Sequence, residues 1–131
     1  MKILPFLAGY LLLGLIGCTQ PVLKKIGVAE AQTMLASKPA TLQVVDLRTP
    51  AEIAETGAIP GAEFIDMMSS DFEDKIGQLD KKRPVLLYCA SGMRSAKAAE
   101  LLHKQKFMMV YELSPGMNGW LAAGNQTSKT K

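Results

Sequence analysis

Residues 83–97 read RPVLLYCASGMRSAK. From Val85 to Ala90 the run is almost wholly apolar and does not alternate, the pattern of a strand covered on both faces in a parallel sheet. A strand with one wet face would alternate instead. After it come a loop of small residues, Arg94, and a helical stretch to about Lys106, with Ala98, Leu101 and Leu102 on its inner side. Strand, loop and helix in this order form half of a βαβ crossover, so the flanking sequence should supply more of the same.

It does. Outward from this stretch, TLQVVDLR (41–48) and FMMVYEL (107–113) read as strands, the first with a buried centre at Val44 and Val45. PAEIAET (50–56) predicts a short helix with Pro50 in its first turn. VAEAQTMLAS (28–37) has helical spacing through Val28, Ala31, Met34 and Leu35. GAIPGAEFID (57–66) predicts a turn and a brief strand at Glu63–Ile65, and SSDFEDKIGQL (69–79) a helix opened by a Ser or Asp cap. SPGMNG (114–119) breaks the last strand before a final short helix closes on Trp120. The expected fold is α/β: a three-layer domain with a central, mostly parallel sheet and helices on both faces.

With 131 residues the chain suffices for one domain. Its 15 basic and 12 acidic residues are interspersed without a basic stripe, so nucleic acid is excluded as a partner. Residues 1–17 begin MK, continue as the apolar run ILPFLAGYLLLGLI and end before Cys18. The run is too short to span a membrane as a helix and has the shape of a signal peptide. LIGC (15–18) resembles the lipobox of bacterial lipoproteins, which implies acylation of Cys18 and a membrane anchor at that residue. The resemblance implies an exported, periplasm-facing protein, in the outer membrane of a Gram-negative cell because Thr19, not aspartate, follows. Residues 18–25 then read as a tether, 26–124 as the domain, and 125–131 as an exposed polar tail.

Lipid on Cys18 leaves Cys89 without a disulfide partner. Exported proteins normally pair their thiols, so a leftover one points to a reactive role, against the plainer reading of a small buried residue. Cys89 stands where a strand ends and a helix begins, among unsatisfied N–H groups and the positive end of a helix dipole, which favour a thiolate. Gly92 permits a tight loop, and Arg94 adds a forked cation suited to an oxyanion. Cysteine-dependent phosphatases resemble this layout, but their loop has one residue more than the four, ASGM, between Cys89 and Arg94. A shorter loop has fewer amides to wrap a phosphate, which argues against phosphatase activity.

DLRTPAEIAETGAIPGA (46–62), CASGMRS (89–95) and LSPGMNGWLAAG (113–124) together resemble the single-domain rhodaneses, sulfurtransferases of the thiosulfate type. Where that family often has histidine before Ile-Pro-Gly-Ala, this chain has Ala58, a change expected to spare the chemistry and to loosen one edge of the fold or pocket. The resemblance implies a double displacement through a Cys89 persulfide. The loop from Ala90 through Ser91, Gly92, Met93 and Arg94 to Ser95 would hold the charged sulfur, with Asp46 and Arg48 in supporting hydrogen bonds and ion pairs. It implies a small anionic sulfur donor, a thiol or protein acceptor (cyanide in assays), and neither metal nor organic cofactor. A module that docks on a partner and passes it sulfur or electrons, with little small-molecule turnover, is the alternative.

Other residues are read structurally. His103, the sole histidine, lies nine residues past Arg94, roughly 13 Å along a helix axis, too far for a Cys–His pair. Ser95 reads as a helix-start hydroxyl and Trp120 as core. Most methionines read as core filling, with Met93 expected as an apolar wall of the sulfur pocket.

Overall fold

The computed structural model describes residues 17–37 and 40–129, so the predicted leader, except Gly17, lies outside the described residues. Ten elements follow one another as β1 (Val22–Ile26), α1 (Val28–Ser37), β2 (Gln43–Asp46), α2 (Pro50–Thr56), β3 (Glu63–Phe64), α3 (Phe72–Gly77), β4 (Val85–Tyr88), α4 (Met93–Lys104), β5 (Met109–Leu113) and α5 (Gly116–Ala122). The sheet has five strands in the order β1-β5-β4-β2-β3, and every pairing is parallel. The α/β expectation is met.

β4 lies at the centre with all four of its residues buried, as its unbroken apolar run requires. One face of the sheet packs Val45, Leu87 and Val110 with Ala98, Leu102 and Phe107; the other packs Val44, Leu86 and Tyr88 with Ala31, Met117 and Trp120. Trp120 donates its indole N–H to the Gln126 carbonyl at 3.0 Å, so this core residue also satisfies its polar edge.

Two segments differ from expectation. Residues 22–25, read as tether, form with Ile26 an edge strand in register with Met109–Leu113. Lys24 and Lys25 disguise it in the sequence, and such charges suit an edge strand because they discourage pairing with other chains. The tail, read as padding, is pinned: Ser128 and Ala58 exchange both backbone bonds (2.9 and 3.0 Å), and the Thr127 hydroxyl donates to the Thr56 carbonyl at 2.8 Å. Ala58 is fully buried under this contact, so the edge that lacks the histidine is closed rather than loosened. At α3 the expected side-chain cap is absent; the Asp71 carboxylate takes Ser69 and Lys75 as partners instead.

The chain leaves β2 toward β3 on one side and β4 toward β5 on the other, so the order reverses between β2 and β4. Crevices at the carboxyl ends of strands at such a reversal are where ligands bind in parallel sheets. Two loops meet there. The β2 loop is fixed by a buried ion pair, Arg48 Nη2 to Asp46 Oδ2 at 2.7 Å, with both side chains at most 2% exposed. Arg48 also donates to the Gly57 carbonyl and the Thr56 hydroxyl, tying the end of β2 to the end of α2. Removing one member strands the other's charge, so Arg48→Ala should lower unfolding free energy by about 3–5 kcal/mol. Urea denaturation measures this; a loss below about 1 kcal/mol, the range of surface pairs, would contradict a fastening role.

Candidate active site

Cys89 follows β4 directly and is only 1% exposed. Its Sγ accepts the Gly92 N–H at 3.2 Å and the Ser95 N–H at 3.4 Å, and lies 3.5 Å from Ser95 Oγ. These donors come from the head of α4, where N–H groups lack intrahelical partners. The turn needs Gly92 at φ +97°, and a Cβ there would stand 2.1 Å from the Ser114 carbonyl oxygen. Gly116, at φ +58°, brings α5 equally close: its Cβ would lie 2.6 Å from the carbonyl oxygens of Cys89 and Ala90. Those carbonyls accept the Met117 and Asn118 N–H groups at 2.8 and 3.0 Å. The loop is therefore held from outside as well as within.

Burial alone pushes the Cys89 thiol up. The Ser95 hydroxyl and the amides of Ser95, Gly92 and Ser91 outweigh it, leaving the thiol below its ordinary value. The site can hold an anionic sulfur.

Of the predicted loop residues, Ala90 and Ser91 lie at its surface, and Gly92 and Ser95 are buried against the sulfur. Met93, expected as an apolar wall, is the first residue of α4 and stands 74% exposed. Arg94 is half-buried and fork-bonded to Glu52, Nη1 to Oε2 at 2.9 Å and Nη2 to Oε1 at 2.6 Å. Its positive charge is thus largely matched by a carboxylate, although the nearby Cys89 sulfur also favours its charged form. Asp46 and Arg48 spend their side-chain bonds on each other and on the end of α2, none on Cys89 or its loop. His103 makes no bond to Cys89, and its Nδ1 is buried without a partner.

Two acidic residues escaped sequence reading. Glu52 closes a capping box with Thr49, Thr49 N–H to Oε2 at 2.9 Å, a pairing foreshadowed by T-P-A-E. Glu112 is a charge placed inside the apolar run MVYEL, and that misfit was its signal. It is 1% exposed and accepts the Ser95 hydroxyl at 2.6 Å.

The Arg94 fork holds the Glu52 carboxyl down from 4.5 to about 2. A lowered folded-state value makes the unfolded chain bind more protons between those values, so stability falls as pH drops through this window. Glu52→Gln should flatten the fall in melting temperature between about pH 4.5 and 2 relative to the parent. Parallel curves would show that the fork contributes nothing to the fold.

The family model of the Rhodanese-like domain matches residues 27–123. A curated sulfurtransferase from Allochromatium vinosum is 38% identical over 81 residues, 62% of this chain and 73% of that protein. Thiosulfate sulfurtransferase GlpE from Shewanella oneidensis is 32% identical over 97 residues, 74% of this chain and 91% of that one. The crystal structure of a rhodanese-like domain protein from Staphylococcus aureus is similar with a TM-score of 0.66 at 30% identity, covering 80% of this chain and 98% of that chain.

Proposed function

The chain belongs to the rhodanese-like domain family, and from that premise we propose that it is a sulfurtransferase whose Cys89 carries sulfane sulfur as a persulfide. The observation behind this reading is the Cys89 sulfur itself, held by two amides at the head of α4. The thiolate attacks the outer sulfur of thiosulfate or a related donor; the donor's S–S bond breaks and sulfite leaves with its electron pair. A nucleophilic acceptor (cyanide, a thiol or a protein) then takes the outer sulfur, and Cys89 departs as thiolate. The amides that favour the thiolate also favour the persulfide anion, as an oxyanion hole favours its oxygen. Because Arg94 is matched by Glu52, the loop amides carry more of the anion binding than the guanidinium does.

In a Cys18→Ser chain, where Cys89 is the sole thiol, thiosulfate should add one sulfur atom by intact mass and cyanide should remove it. The further change Cys89→Ser should abolish the gain. No gain with thiosulfate, polysulfide or an organic persulfide would sink the transferase reading.

The anchor is part of the same proposal. Cys18 is exposed and three residues, Thr19 to Pro21, separate it from β1, so the fold leaves it free for acylation and an envelope location. Expressed in a Gram-negative host, the parent should partition into detergent and the outer-membrane fraction, and Cys18→Ser should not. Equal partitioning of the two would refute lipid attachment at this residue.

A further inference from the structure

Among the described residues, four polar or charged ones are buried: Asp46, Arg48, Ser95 and Glu112. The first two neutralise each other, but Glu112 belongs to none of the ion pairs among the described residues. Its Oε2 is buried with no hydrogen-bond partner, while Oε1 accepts the Ser95 hydroxyl at 2.6 Å. A carboxylate so enclosed and half-satisfied is costly, and its presence calls for a cause.

The cause lies in the count of protons. Ser95 has one hydroxyl proton and three acceptors within reach: Glu112 Oε1 at 2.6 Å, the neutral Gly92 carbonyl at 3.2 Å and Cys89 Sγ at 3.5 Å, of which only the first and last can be anions. When the hydroxyl donates to Glu112, it can accept S–H from the thiol. When it donates to a thiolate, Glu112 Oε1 keeps this partner only by carrying a proton and donating it to Oγ. The hydrogen-bond row can run in either direction, and two acids joined by such a row in a dry interior resist carrying two negative charges.

We propose that Glu112 and Cys89 share one proton through Ser95, so that the carboxylate takes up the thiol's proton when the sulfur becomes anionic. The Cys89 S–H bond breaks and its proton joins Ser95 Oγ; the serine's own O–H bond breaks and that proton joins Glu112 Oε1. One proton moves, no electrons are lost or gained, and the total charge is unchanged. When the sulfur is loaded as an anionic persulfide the proton stays on Glu112. Once the sulfur has been handed on and the thiolate regained, the path can run in reverse. Glu112 is a positioning residue, since it reaches the sulfur only through Ser95.

Other groups face this row without replacing it. Lys25 is level with Glu112 on β1 but exposed, and Leu87 is level with it on β4. On α4, Arg94 is engaged by Glu52, while Lys97 and Glu100 are exposed. α5 has no titratable side chain.

The proposal rests on the thiolate reading of Cys89, but its test does not require sulfur transfer, so the two can fail separately. The experiment is the pH dependence of Cys89 alkylation by iodoacetamide in the Cys18→Ser chain, followed by intact mass. Coupled acids lose their protons in two steps that belong to the pair. The parent rate should rise in two steps with a plateau between, and Glu112→Gln should show one. On the parent's low-pH plateau the Gln variant should react roughly tenfold more slowly, having lost the internal acceptor. Ser95→Ala, which keeps the carboxylate and removes the bridge, should also lose the low-pH step; it decides the matter if Glu112→Gln does not fold. A single step in the parent, or two steps surviving in either folded variant, overturns the proposal.

Discussion

A sulfur anion withdrawn from water must be met by donors that cannot turn away, and this requirement organises the domain. The amides at the head of α4 meet it because a helix start leaves them unpaired. They reach Cys89 only because Gly92 turns with a positive φ that residues bearing a β-carbon rarely adopt. α5 holds that turn from outside through the close approach at Gly116 and the Met117 and Asn118 amides. β4, buried along its whole length, fixes the start of the loop at the centre of the sheet.

Around the sulfur, charge is balanced pair by pair. Asp46 with Arg48 fastens the β2 loop, and Glu52 with Arg94 joins α2 to α4 across the crevice. Each pair combines a fork of arginine donors with a carboxylate, a geometry that fixes direction as well as distance. Glu52 serves twice, capping its own helix through Thr49 and holding the arginine of another. The site is therefore a rigid frame of matched charges around one sulfur, with Glu112 the exception beneath it.

Most of the frame was legible in the sequence because its signals are local. The unbroken apolar run of β4, Pro50 at the start of α2 and the small residues after Cys89 each act on their immediate neighbours. What stayed hidden depends on partners far along the chain. β1 needs β5 to become a strand, and its lysines weaken the apolar pattern that would reveal it. The tail needs Ala58, some 70 residues earlier, to be held in place, although Ser128 itself stays exposed. Arg94 could be read from its spacing to Cys89, but its partner Glu52 lies 42 residues away. The exposure of Met93 depends on where α4 begins, which the small residues before it leave open.

An all-parallel sheet has two unlike poles. Every strand starts at one and ends at the other, so Val22, opening β1, and Cys89, closing β4, stand at opposite poles. The four-residue β4 alone accounts for about 13 Å of that separation. The link from Cys18 to Val22 stretches to about 14 Å at most, so a group attached at residue 18 stays within that reach of the pole where β1 begins. Tether and sulfur thus belong to opposite ends of the strands, and a holder at the first end leaves the second open to approach.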